Sequence, residues 1–143
     1  MILPDVNTLL YAVNSSSEQH AAALRALRLS FDDPRGVAFA WTVLLAFLRL
    51  STRRGVFPKP LSVEDALRVI EQWIEHPQAQ VVHPGERHAQ ILGRLLRSVG
   101  TAGNLTTDAH LAALAIEHGA TVLSFDRDFA RFEGVQWTLP LAD

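Results

Sequence analysis

The sequence predicts an α/β fold built on a parallel sheet. Two observations lead there. Short apolar runs alternate along the chain with stretches of helical periodicity, as when each parallel strand is followed by a covering helix. No repeat, low-complexity tract or linker interrupts the 143 residues, so a single domain spanning residues 1–143 is expected. A domain of this length buries about 70% of its unfolded surface, enough for a real core.

The elements follow in order. "MILP" is a short first strand, and "NTLLYAV" after it is helical, with Asn7 as its cap. A second helix covers Glu18 to Phe31, where His20, Leu24, Leu27 and Phe31 recur at intervals of three and four. "GVAFA" is the second strand. "TVLLAFLRLST" follows as a helix, and "WTVLLAFLRL" is apolar nearly all round, so this helix is either central or part of an interface. "TRRGVFPKPL" is the longest irregular stretch. Ser62, with Asp65 three residues later, forms a capping-box pattern that opens a helix turning Ala66, Leu67, Ile70, Trp73 and Ile74 inward.

"AQVVH" is the third strand. Glu86 to Val99 is helical, with Gly100 suited to its C-terminal cap. "TTDAHLAALAIEH" is the next helix, closed by Gly119. "TVLSF" is the fourth strand and "VQWTL" the last.

Composition narrows the function. Hydrophobic residues make up 48% and charged residues 20%, as in ordinary globular proteins. No run approaches the roughly 18 apolar residues of a membrane span. The start lacks a basic n-region and a cleavage site, so no signal peptide is expected. Zero cysteines exclude disulfides and thiolate metal sites, in keeping with a cytoplasmic protein. A formal charge of −2 is far from that of a protein that merely coats nucleic acid. Any nucleic-acid role is therefore local, through a small basic patch or a bridging metal.

The acidic residues carry the most information. Asp5 directly follows the first strand. In "LSFDRDFARF", Asp126 follows the fourth and Asp128 comes two residues later. Ligands of open parallel sheets bind at the carboxyl edge, where both strand-end aspartates fall. Asp108 lies in the first turn of the helix feeding the fourth strand, which begins at that same edge. Singly, each has a structural explanation as an Asx-turn, cap or helix N-terminal charge. Jointly they oppose folding. At about 4 Å two like charges repel by ~1 kcal/mol in water and ~4 kcal/mol near a protein surface. A divalent cation removes that repulsion, and all-oxygen donors suit Mg²⁺ or Mn²⁺. The six histidines include no HExxH and no close pair on one helix face, and His110 and His118 are expected at or near the surface.

The landmarks "PDVNTLLYA", "AFLRLSTRRGVF", "TTDAHLAALAIEHGATVLSFDRDFARF" and "WTLPL" resemble the PIN-domain ribonucleases, and among them the VapC-type toxins of bacterial toxin–antitoxin pairs. The resemblance runs nearly end to end. It implies a three-layer α/β/α domain whose central parallel sheet brings strands one and four side by side. It implies a Mg²⁺-dependent endoribonuclease with Asp5, Asp108 and Asp126 as metal ligands and catalytic residues. It gives Asn7 the orienting of Asp5 and Asp128 an outer role. Cleavage leaving a 5′-phosphate and a 3′-hydroxyl, a homodimer and a cognate antitoxin are further implications. Arg49, with Arg53, Arg54, Lys59 and Arg127 nearby, is expected to meet RNA phosphate.

One departure stands out. The family commonly carries Glu-x-x-Arg in the helix after strand two. Here Ala46 stands where the glutamate is expected, with Arg49 in the partner slot. Either Asp128 or water completes a working site, or the chain is a weakened scaffold acting by binding RNA or a partner. Two other folds are disfavoured. A haloacid-dehalogenase-type phosphatase needs a second aspartate where Asn7 stands, and a receiver domain needs one after the third strand, where "VVHPG" has none.

Overall fold

The computed structural model describes residues 1–141; the expected domain end at residue 143 lies outside them. The strands are β1 (Ile2–Pro4), β2 (Val37–Ala40), β3 (Ala79–Val82), β4 (Thr121–Leu123) and β5 (Gln136–Thr138). The helices are α1 (Val6–Val13), α2 (His20–Asp32), α3 (Trp41–Ser51), α4 (Val63–Glu75), α5 (His88–Val99) and α6 (Thr106–His118). All strands run parallel in the order β3-β2-β1-β4-β5.

That order explains the layers. From β1 the chain winds outward through β2 to β3, then crosses back and winds the other way through β4 to β5. Parallel crossovers are right-handed, so reversing the direction of winding moves the connecting helices to the opposite face. Helices α1 to α4 accordingly pack among themselves and α5 packs on α6, giving the expected α/β/α sandwich. The reversal falls between β1 and β4, registered Ile2 to Thr121, Leu3 to Val122 and Pro4 to Leu123. The expected adjacency of strands one and four is thus present, and with it the crevice outside their carboxyl ends.

The core joins the layers. Leu3, Phe39 and Val122 from the sheet, Phe47 from α3, and Leu95 and Leu114 from α5 and α6 are fully buried. Trp73 of α4 stacks on Phe39 at 6.0 Å and meets Phe47 edge-on at 4.9 Å. Gly36, just before β2, has φ +76°, and a Cβ there would lie 2.2 Å from the Gln78 carbonyl oxygen.

Several local expectations need correction. Asp5, not Asn7, caps α1, accepting the Thr8 N–H at 2.9 Å. Ser62 caps α4 through the Asp65 N–H at 3.0 Å, but the Asp65 carboxylate bonds Arg68 at 2.9 Å rather than returning to Ser62, so only half of the capping box forms. Leu67 is exposed while Ala66 and Ile70 are buried, because α4 presents a narrower stripe than its apolar count suggests. The second and fifth helices begin two residues later than expected, at His20 and His88. Helix α3 buries Val43, Leu44 and Phe47 and leaves Trp41 and Leu45 exposed, which makes it one-sided rather than central. Among the described residues no helix is long and apolar enough to cross a membrane.

Candidate active site

The crevice at the β1/β4 reversal is a cleft of about 70 Å³, lined by Asp5, Asn7, Thr42, Ala46, Asp108 and Asp126 among others. Each carboxylate arrives by a different route. Asp5 follows β1 and opens α1, Asp126 lies just beyond β4, and Asp108 occupies the first turn of α6. Ala46 also faces this cleft, one helical turn before Arg49.

Asp5 is only 7% exposed and is held from two sides. Its Oδ1 accepts the Thr8 N–H at 2.9 Å, and its Oδ2 accepts a short hydrogen bond from the Ser124 hydroxyl. The Ser124 hydroxyl also accepts the Asp126 N–H at 2.9 Å, so one buried serine ties the two strand-end aspartates together. The Thr8 hydroxyl donates to the Leu123 carbonyl at 3.0 Å, fastening α1 to the end of β4. The groups that orient Asp5 are therefore Thr8 and Ser124; Asn7 is exposed at the cleft and is not among them.

Asp126 closes a turn as well as lining the cleft. Its Oδ1 accepts the Asp128 N–H at 2.8 Å, capping the 3₁₀ turn Arg127–Arg131. Asp128 itself is exposed. Asp108 has no hydrogen-bond donor among the described residues. Burial, then the charges of Asp126, Asp5 and Asp128, push its carboxyl up to about 6. Burial also raises Asp5, opposed by the bonds from Ser124 and Thr8 and assisted by the Asp126 charge.

The four aspartates therefore share one electrostatic environment. Hard oxygen donors held in mutual repulsion fit a divalent cation in kind. As placed, no group of three or more His, Cys, Asp or Glu among the described residues is arranged to hold an ion. Two of the carboxylates, Asp5 and Asp126, are turned onto backbone N–H groups, but a carboxylate oxygen with one donor keeps a second lone pair for a metal.

Arg49 does not line the cleft. It is exposed in the last turn of α3 and has no ion pair among the described residues. Arg53, Arg54 and Lys59 are exposed in the loop that follows, and Arg127 is exposed beside Asp126.

Sequence reasoning overlooked Thr8 and Ser124. The available signal was a hydroxyl residue at the end of an apolar run, two residues before an aspartate, in "LSFD".

Comparison with known proteins gives the family. A family model described as PIN domain matches residues 2–135. Ribonuclease VapC37 of Mycobacterium tuberculosis is 51% identical over 142 residues, covering 99% of each chain. Ribonuclease VapC33 of the same species is 38% identical over 143 residues, covering all of both chains. Among solved structures, VapBC2 from Rickettsia felis, bound to a DNA fragment from its promoter, aligns with a TM-score of 0.71 at 19% identity over 97% of this chain and 98% of that one. Mycobacterium tuberculosis VapC20, a sarcin-ricin loop cleaving toxin, aligns with a TM-score of 0.68 at 21% identity over 95% and 99%. At such identities the two solved structures speak for the fold alone. Matched by the family model over nearly its whole length and by full-length VapC relatives, the chain belongs to the PIN-domain family, in its VapC branch.

Proposed function

We propose that this chain is a metal-dependent endoribonuclease, the toxin of a toxin–antitoxin pair acting in the cytoplasm. The single observation that carries the reading is the gathering of Asp5, Asp108 and Asp126 at one cleft, with Asp108 pushed up to about 6 by burial and by its acidic neighbours. The curated relatives are named ribonucleases, which supports the substrate class, and the solved neighbours of like fold include VapBC assemblies, which is in keeping with a partner.

Asp5, Asp108 and Asp126 would hold Mg²⁺, with Mn²⁺ as an alternative, after side-chain movement toward the cleft. Such an ion supplies charge neutralisation at the phosphate and a water of lowered pKa. The chain's own groups do the rest. Ser124 and Thr8 hold the Asp5 carboxylate through one hydrogen bond on each oxygen. The N–H groups of Thr8 and Asp128 hold Asp5 and Asp126 at the cleft wall. Asp128 acts from the rim, and Asn7, exposed at the cleft, is free to meet substrate. Arg49, with Arg53 and Arg54, offers planar guanidinium groups to the RNA backbone. Hydrolysis by water, with the 3′-oxygen leaving, yields a 5′-phosphate and a 3′-hydroxyl.

Exposed Trp41 and Leu45, one turn apart on α3, support a protein interface, which we assign to a homodimer.

The test is cleavage of RNA by the purified, partner-free chain with Mg²⁺. Wild type is expected to cut, and Asp5→Asn and Asp108→Ala to lose cutting with the fold retained. Failure of wild type to cut with either Mg²⁺ or Mn²⁺ overturns the enzyme. Ala46, in place of the expected carboxylate, favours the second reading, a weakened scaffold that binds RNA without cutting it.

A further inference from the structure

Away from the aspartates, α5 carries a row of polar side chains with one sign of charge. Arg87, at its N-cap, is followed at intervals of three and four by Gln90, Arg94 and Arg97, all exposed. Such spacing keeps them on one side of the helix, over about 15 Å from first to last. The side chains of Arg87 and Arg94 make no ion pair or hydrogen bond among the described residues.

The row borders a cavity of about 520 Å³. Arg87, Gln90, Arg94 and His118 form its polar wall, and Ile91 and Ile116 contribute apolar surface. Two carboxylates also line it, but one is already engaged. Glu117 accepts from the Gly85 N–H at 3.3 Å, and its Oε2 lies 3.1 Å from His88 Nδ1. Glu117 keeps its charge but is held on Gly85 and His88, while Glu86 makes no side-chain hydrogen bond among the described residues, so two carboxylates stand beside the two arginines. The volume suits one small-molecule-sized group, with an apolar surface for a flat ring and cations for its phosphates.

Gly93 adds an independent observation. A glycine inside a helix costs about 1 kcal/mol relative to alanine. Here a Cβ would lie 3.0 Å from Arg97 Nη1, so the bare glycine leaves room for the Arg97 guanidinium to lie back along the row.

The row also has a direction. His88 at the start of α5 meets Glu117 near the end of α6, and residues 100–105 join the opposite ends. The helices are therefore antiparallel, and the Arg97 end of the row lies toward the first turn of α6, where Asp108 sits.

We infer that the Arg87–Gln90–Arg94 face of α5 and its cavity bind a nucleotide of single-stranded RNA outside the cleft, as a track leading toward Asp108. This rests on the ribonuclease reading and gives its substrate a second point of attachment. The ligand class is a nucleotide within an RNA strand, its base against Ile91 and Ile116 and its phosphates on the arginines.

The experiment measures binding of a fluorescein-labelled single-stranded RNA to the full chain in EDTA across a series of salt concentrations. The double variant Arg87→Ala, Arg94→Ala is expected to bind roughly tenfold more weakly. Its log–log salt slope should fall by about 1.4, since each phosphate contact to a single strand contributes about 0.7. Arg87→Lys, Arg94→Lys should recover the slope. An unchanged thermal midpoint separates lost contacts from lost fold. Double-variant affinity and slope equal to wild type overturn the track. An equal loss of polyglutamate binding overturns it too, since the face is then a general anion surface. Wild type that binds and cuts RNA beside an indifferent double variant sinks the track alone, whereas wild type that neither binds nor cuts sinks the ribonuclease reading with it.

Discussion

The hydroxyl of Ser124 donates a hydrogen bond to the carboxylate of Asp5, 119 residues away in the chain, and both residues are buried. Ser124→Ala leaves that buried oxygen short of a donor and frees the Asp126 N–H. Unfolding free energy should drop by about 1–3 kcal/mol. Removing a group that orients a metal ligand typically weakens binding by about 10–100-fold. Ser124→Thr should keep most of both. Calorimetric Mg²⁺ titration and thermal unfolding check this, and unaltered affinity in Ser124→Ala would disprove the positioning role.

The metal-free protein should lose stability as the solution becomes less acidic. Asp108 titrates near 6 when folded and near 3.9 when unfolded, so the native state binds the extra proton between those values. Its contribution is complete below about pH 4 and is lost as pH rises through about 6. Asp5 is raised as well and acts in the same direction. Denaturant melts in EDTA from pH 4 to 7 should show the decline, Asp108→Asn should flatten it, and saturating Mg²⁺ should reverse it. A flat profile for wild type would refute the shared environment.

Ala46→Glu adds a carboxylate at the cleft wall. Mg²⁺ binding should tighten by roughly tenfold, equivalent to ~1.4 kcal/mol. Without metal the same change should destabilise the fold through added repulsion. An identical Mg²⁺ isotherm for the two proteins would count against Ala46 as the position of the missing ligand.

Leu45 is 57% exposed on α3. Leu45→Glu should leave unfolding free energy within about 0.5 kcal/mol of wild type, as for other surface changes. It should, however, convert a dimer to a monomer in light scattering. If wild type already has the mass of one chain, the dimer assignment fails.

Gly36→Ala should be among the most damaging single-methyl changes. The new carbon would press on the Gln78 carbonyl at 2.2 Å from a backbone at φ +76°. A loss of about 2–4 kcal/mol is expected, from overpacking and left-handed strain together. A melting curve matching wild type would show that the β2–β3 junction relaxes freely.

Much of this was legible in the chain. Alternating periodicities define the parallel sheet, and aspartates placed just after β1 and β4 mark its ligand edge before any coordinate is known. What escaped was of two kinds. Asp5 and Asn7 are both good helix caps two residues apart, and only the actual φ and ψ of Asp5 decide between them. The bonds from Thr8 to the Leu123 carbonyl and from Ser124 to Asp5 span more than a hundred residues, so a local pattern such as "LSFD" shows the hydroxyl but not its partner. Leu67 was misassigned because α4 is amphipathic with an apolar residue to spare, and periodicity alone cannot say which one faces water.

Asp5 and Asp126 each hold up the backbone beside them, while Asp108 supports nothing but charge. Inactive controls are therefore not interchangeable. Alanine at position 5 strips a helix of its cap, at about 0.5–2 kcal/mol, so a dead enzyme made that way is also a frayed one. Asparagine there keeps the oxygen that caps the helix, but its amide nitrogen cannot accept from the Ser124 hydroxyl, so it gives up that bond along with the charge. Toxicity assays in living cells should silence the protein through Asp108, or a shortage of folded molecules will be mistaken for a failure of chemistry.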